Sequence, residues 1–208
     1  MLKIAITKGR IEKDFCNMLQ KSGYNVEPLI NKDRKLIIDT EDNLEYIFVK
    51  GTDIITYLNY GAVDVGVIGK DTLIESDKSK YMEIADLGIG KCKFCLASNP
   101  EYKNKVFNRN KIIATKYPSI AKKYFDDKNE EIDIIKLNGS IEVAPILKMT
   151  DAIVDIVETG NTLKANGLEV VDEICDVSTR LITNKEVFNN KDKKSELYNF
   201  VKKLKIEA

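Results

Sequence analysis

The chain has 208 residues, 43% of them apolar, enough for one sizeable core or two small ones. Lys and Arg total 33 and Asp and Glu total 33, so no overall field draws it toward nucleic acid or an anionic membrane. Histidine is absent, which excludes Ser-His or Cys-His nucleophilic machinery and any imidazole-based zinc site.

Along the chain, strand-like apolar runs alternate with helical patterns. The first run, LKIAIT, leads to RIEKDFCNMLQKSG, where Ile11, Phe15, Met18 and Leu19 recur at helical spacing before Gly23. KLIIDT and LEYIFVK follow as strands, TDIITYLNYG as a helix and DVGVIG as a strand. Gly88 to Gly90, Gly-Ile-Gly, is where the chain passes into a second unit. KCKFCLAS alternates as a strand, so Cys92 and Cys95 lack the helix-start setting of a redox pair, and the four scattered thiols suit a reducing compartment. KIIATKY, SIAKKYFDDK, IDIIKL, SIEVAPILK (interrupted at Pro145), DAIVDIV and a final helix KKSELYNFVKKLKI complete the alternation, with NKDKKSE as a solvated charged loop. DVSTRLITN reads as a strand returning to the first unit. The expected fold is α/β with largely parallel strands, in two lobes separated by a cleft: residues 1–90 and 179–208 in lobe I, 91–178 in lobe II. No apolar run reaches the roughly 18 residues of a membrane span, and the N-terminus runs straight into a charged helical pattern. A cytoplasmic location is expected.

The stretch DAIVDIVETGNTLKANGL carries the chemistry. Its strand ends near Val157 and a helical pattern starts around Thr162, so a tight loop with Gly160 feeds a helix N-terminus. Free backbone N–H groups there suit a phosphate, although an ordinary turn with Thr162 as its cap reads equally well. Asp151 and Asp155 share a strand face but lie roughly 13 Å apart at about 3.3 Å per residue, so only Asp155 can reach a ligand at the loop. Such a carboxylate suits sugar hydroxyls or a magnesium ion, and Asp151 simply begins the strand.

That 18-residue stretch resembles the phosphoribosyl-pyrophosphate (PRPP) loop of the ATP phosphoribosyltransferases. TKGR (Thr7 to Arg10), DVGVIGKD (Asp64 to Asp71), IIATKYP (Ile112 to Pro118) and LNGSIEVAP (Leu137 to Pro145) resemble further family segments in the family's order, so the likeness spans nearly the whole chain. It implies two lobes of the periplasmic-binding-protein type and the first reaction of histidine biosynthesis, which joins ATP to PRPP. By similarity, Asp155, Glu158, Thr159, Gly160, Asn161 and Thr162 hold PRPP. Lys8, Gly9, Arg10, Lys50, Asp71 and Lys93 serve ATP and the pyrophosphate. Asp155, Arg10 and Glu142 are the catalytic candidates, Glu142 also being readable as a plain helix carboxylate. Where family members carry Arg and Asp-Ile-Pro around VKGTDIITYL, this chain has Lys50 and Ile55, which keeps the charge and loses the guanidinium fork. Lys93 likewise stands where Arg is often seen.

The resemblance further implies Mg2+ held through substrate phosphates, with no dedicated protein metal ligands assigned. The chain stops after the helix ending KKLKIEA, as in the short form of the family. That form works in a hetero-oligomer with a regulatory subunit similar to histidyl-tRNA synthetase, and a homodimer is expected when the chain is alone. A receptor-type binding module and a nucleobase-salvage phosphoribosyltransferase are the rival readings. The salvage enzymes carry two adjacent acids before the loop, where this chain spaces Asp151 and Asp155 apart.

Overall fold

Residues 1–206 are described in the computed structural model, and they begin with a strand whose apolar run is covered on both faces. In β1 (Leu2–Thr7), Ile4 and Ile6 point to one side and Ala5 to the other, and all three are fully buried. α1 (Arg10–Lys21), α2 (Glu27–Ile30), β2 (Ile37–Asp39), β3 (Leu44–Val49), α3 (Gly51–Asn59), β4 (Val65–Gly69), α4 (Lys70–Ile74) and β5 (Met82–Asp86) follow. Then come β6 (Cys92–Ser98), β7 (Lys111–Thr115), α5 (Pro118–Asp126), β8 (Ile132–Lys136), α6 (Val143–Ile146), β9 (Ala152–Val157), α7 (Asn161–Ala165) and β10 (Glu169–Val177). The chain closes with β11 (Thr179–Thr183), α8 (Lys185–Asn189) and α9 (Lys191–Leu204).

These elements form two units. Met1–Gly90 joins the chain from Ser178 onward, and Lys91–Val177 stands as the second unit. Ser178 falls in the first unit. That unit holds a six-stranded sheet in the order β2-β3-β1-β4-β11-β5. On one face, Ile4, Ile6, Tyr46, Phe48 and Val67 pack with Phe15 and Leu19 of α1 and Phe200 and Leu204 of α9. On the other, Ala5, Ile47 and Ile68 meet Ile54 and Leu58 of α3 and Leu73 of α4. Coverage on both faces explains why these strands read as continuous apolar runs rather than alternating ones.

The second unit holds a five-stranded sheet, β10-β6-β9-β7-β8. Ala97, Ala114 and Ile153 form its core on one face with Ala144 of α6, Leu163 of α7, Ile141 and Leu168.

Both sheets are mixed, which corrects the expectation of largely parallel pairing. β1 runs parallel to β3 and β4, and β7 to β8 and β9, but β2–β3, β4–β11, β5–β11, β6–β9 and β6–β10 are antiparallel. The helix expected over SIEVAPILK contracts to Val143–Ile146. Left-handed Ser140 (φ 49°) and Lys148 (φ 57°) bound it, and Pro145 supplies no N–H. NKDKKSE is the start of α9 and not a loop, because the Asn190 side chain accepts from the backbone N–H groups of Asp192 and Lys193 at 3.0 and 3.1 Å and caps the helix.

Candidate active site

In the second unit, β9 lies between β7, parallel and in register as far as Thr115↔Val154, and β6, antiparallel and in register as far as Lys93↔Val157. Its two aspartates have different fates. Asp151 is buried at the strand's start, where Arg109 donates to both carboxylate oxygens (2.7 and 3.1 Å), Lys105 donates at 3.0 Å and the Ile112 N–H at 2.9 Å. Burial alone would raise its pKa, but these four donated hydrogen bonds outweigh it and hold the carboxyl at about 2. Asp151 therefore does more than open the strand. It is an ion-pair anchor whose partners lie about 40 residues away in sequence, beyond the reach of local pattern.

Asp155 sits near the other end of β9, half-buried, and accepts the Ile156 N–H at 2.8 Å. It shares a strand face with Ile153 and Val157, which pack toward α6 and α7. Beyond Val157 the chain turns through exposed Glu158 and Thr159 to Gly160, left-handed at φ 73°, ψ 3°. Gly160 is the N-cap of α7, so the helix begins at Asn161 and Thr162 is not its cap as expected. With five residues, α7 contributes little macrodipole, and in its first turn the Asn161 N–H donates to Thr159 Oγ1 at 3.5 Å. Leu163, buried with Leu168, ties this short helix to the core.

Glu158, Thr159 and Gly160 line a pocket of about 540 Å³ together with Lys93 and Glu173. Lys93 is ion-paired with Glu173 at 2.5 Å, and that carboxylate raises the ammonium's pKa. Lys91 and Lys164 line the same pocket; the sequence reading overlooked both, since a lone lysine in a charge-balanced chain gives no signal. Glu142, half-buried, immediately precedes α6 as its N-cap, on the segment that leaves β8. Cys92 and Cys95 are three apart on one strand and so face opposite sides; burial pushes the Cys95 thiol up to about 11.

In the first unit the candidate residues gather at the C-terminal ends of β1, β3 and β4, three adjacent strands. The N–H of exposed Lys8 donates to the Val49 carbonyl at 3.0 Å and binds the two strand ends together. Gly9, at φ 97°, turns the chain into α1 and gives its N–H to Glu12 at 3.3 Å. Arg10 donates to the Gly90 carbonyl at 3.2 Å. Lys50 is the N-cap of α3, and Asp71 lies in the first turn of α4. Gly51 allows α3 to start close to β1, since a Cβ there would sit 3.1 Å from Thr7 Oγ1. Lys93 does not join this group within the first unit; it lies in the second. Among the described residues, no group of three or more acidic or thiol side chains gathers as a metal site.

An α/β chain of two units, each built on a mixed sheet, belongs by architecture to the periplasmic-binding-protein-like class. The aliphatic sulphonate binding protein SsuA from Escherichia coli shares that fold at a TM-score of 0.61 and 12% identity, over 98% of this chain and 70% of its own, a likeness in fold alone. Within the class the match is much narrower. The ATP phosphoribosyltransferase family model covers residues 50–206. ATP phosphoribosyltransferases of Lactococcus lactis and Listeria monocytogenes are 49% and 47% identical over 98% of this chain and 97% and 94% of theirs. The ATP phosphoribosyl transferase (HisG:HisZ) complex from Thermotoga maritima contains a chain 34% identical, with a TM-score of 0.79, over 98% of this chain and 96% of that one. The chain belongs to the ATP phosphoribosyltransferase family, pentosyltransferases that join ATP to PRPP in the first step of histidine biosynthesis.

Proposed function

We propose that the β9–α7 turn holds the 5-phosphate and ribose of PRPP, and that the residues at the ends of β1, β3 and β4 serve ATP and the pyrophosphate. The observation that carries this reading is left-handed Gly160 five residues after Asp155 of β9, while Asp151 is consumed by its ion pairs. Gly160, Asn161 and Thr162 bring N–H groups toward a phosphate. Thr159 and Thr162 add hydroxyls, and Asp155 and Glu158 face the ribose side.

In the reaction, the lone pair of adenine N1 attacks C1 of the ribose as the bond from C1 to the pyrophosphate oxygen breaks and pyrophosphate leaves with its electrons. Positive charge that develops on the ribose is steadied by Asp155. The charge acquired by the adenine is relieved when its amino group loses a proton, for which Glu142 is the candidate acceptor. Lys8, Arg10 and Lys50 offset the departing pyrophosphate. Because N1 is a weak nucleophile, alignment of the two substrates carries much of the acceleration.

The residues present fit a Mg2+ ion bound mainly through substrate oxygens. Magnesium commonly takes one or two protein carboxylates beside phosphates, and Asp155 and Glu158 are the carboxylates at the turn. Such an ion would neutralise phosphate charge as the pyrophosphate departs. We further propose a cytoplasmic hetero-oligomer with a regulatory subunit similar to histidyl-tRNA synthetase, and a homodimer for the chain alone. The Thermotoga relative supports the first, being itself a two-protein complex. No described helix is long and apolar enough to cross a membrane.

Calorimetry on Asp155→Ala and Gly160→Val tests the turn directly. Each is expected to weaken PRPP binding at least about a hundredfold with the fold intact, since valine at a left-handed position is strained and crowds the backbone approach. Unchanged PRPP affinity in both would remove the turn from the proposal.

A further inference from the structure

The ladder that joins β9 to β7 ends at Thr115↔Val154, one residue before Asp155. From Asp155 to Val157 the ladder to β6 continues. Where the β7 ladder stops, the Thr115 hydroxyl adds its own link. Its Oγ1 donates to the Val154 carbonyl at 2.7 Å and accepts the Tyr117 N–H at 2.8 Å, and Thr115 is 0% exposed. A threonine hydroxyl has one donor proton and two acceptor positions, so this single oxygen links the last paired residue of β9 to the turn by which β7 enters α5. The ring of Tyr117 is fixed in turn against Phe94 of β6, edge-on at 4.9 Å between centroids. β6, β7 and β9 are thereby locked together at the level of Asp155.

The first unit repeats the arrangement. The β1–β4 ladder ends at Ile6↔Val67, and Thr7 Oγ1 donates to the Val67 carbonyl at 2.9 Å, two residues before Gly69 leads into Asp71. In both units a threonine at the end of a parallel strand clamps its neighbour where the ladder stops and the candidate residues begin.

We infer that Thr115 is a positioning residue for phosphoribosyl transfer, its buried hydroxyl fixing the end of β9 so that Asp155 meets the ribose of PRPP in one geometry. The inference rests on the reading of Asp155 as a PRPP contact. Thr115 touches no substrate. Loss of its hydroxyl removes the donor to the Val154 carbonyl and the acceptor of the Tyr117 N–H, at the end of β9 that carries Asp155.

The test is calorimetry of the full chain with PRPP and, separately, with ATP, for Thr115→Val, Thr115→Ala, Thr115→Ser and Asp155→Ala. The hydroxyl-free variants are expected to raise the PRPP dissociation constant about tenfold while that for ATP stays within about twofold, and Thr115→Ser to stay within about twofold for both. If valine fails to fold, alanine supplies the hydroxyl-free reading. PRPP affinity unchanged in the hydroxyl-free variants or equal loss for both substrates, the outcomes a purely structural threonine predicts, would overturn the inference, and so would failure of serine to rescue, which would show that the hydroxyl is not the group that matters. If Asp155→Ala itself keeps PRPP affinity, the reading of the turn fails and the inference falls with it. If Asp155→Ala loses PRPP while the Thr115 variants do not, the inference alone fails.

Discussion

Asp151 and Asp155 are the same residue type on the same face of one strand, and their neighbours alone give them different work. Asp151 titrates at about 2 in the folded chain against an ordinary value of 3.8. As pH falls the unfolded chain takes up its proton first. The stabilisation from this carboxylate is therefore complete above the unfolded value and is lost as pH falls toward 2, a contribution of about 2 kcal/mol at neutral pH. Asp151→Asn is expected to lower unfolding free energy at pH 7 by about that amount and to flatten the acid limb between about pH 4 and 2, with PRPP affinity unchanged. Denaturant titrations across that range, beside PRPP calorimetry, check it; a variant as stable as the parent would deny the ion-pair anchor. The separation of roles was readable from strand spacing, which put Asp151 out of reach of the loop. Its partners were not, because Arg109 and Lys105 lie on a segment whose only signature is charge. Thr162 as helix cap was misassigned for a related reason. Gly160 adopts the left-handed conformation that lets the helix start two residues sooner, and that conformation is set by the turn rather than by the hydroxyl pattern.

The elements whose local pattern and tertiary role agree were recovered from sequence. β1, β4 and β9 are buried on both faces and spell apolar runs, and α1 and α3 carry apolar residues at helical spacing. β5 and β10 escaped, as MEIAD and EVVDEICDV interleave acids with apolar residues and lie at sheet edges. β10 also carries two register shifts against β6, which disrupt the period-two signal. With the antiparallel insertion of β11 beside β4 and of β6 beside β9, these edge strands make both sheets mixed where an alternating α/β pattern suggests parallel ones. Packing at the centre is tighter. A Cβ on Gly66, in the middle of β4, would come within 2.9 Å of Ile182 on β11 and closer still to Ile54 of α3. Gly66→Ala is expected to cost about 1 to 3 kcal/mol of stability through overpacking. A chemical denaturation midpoint unmoved by the substitution would show that β4 and α3 separate more easily than their packing implies.

At the scale of the whole molecule, equal numbers of acidic and basic residues leave no overall field to gather anionic substrates, so the proposed recognition is local, and Lys8, Arg10 and Lys50 are exposed at the ends of β1 and β3. Activity is expected to vanish on chelation and return with magnesium but not require zinc, given oxygen ligands and phosphorylated substrates; full turnover in excess chelator would count against it. The isolated chain is expected to be inactive or nearly so, with activity and histidine inhibition arriving together when the regulatory subunit is added. High activity alone, or histidine inhibition without the partner, would contradict that. The most direct measurement is product analysis with chain, partner, ATP, PRPP and magnesium, run in parallel on the parent and on Asp155→Ala. The expected result is N1-(5-phosphoribosyl)-ATP with one pyrophosphate released per product formed, and a loss of at least about a hundredfold in turnover at limiting PRPP for the variant. Parent-like product formation by Asp155→Ala, or transfer to free nucleobases in place of ATP, would contradict it.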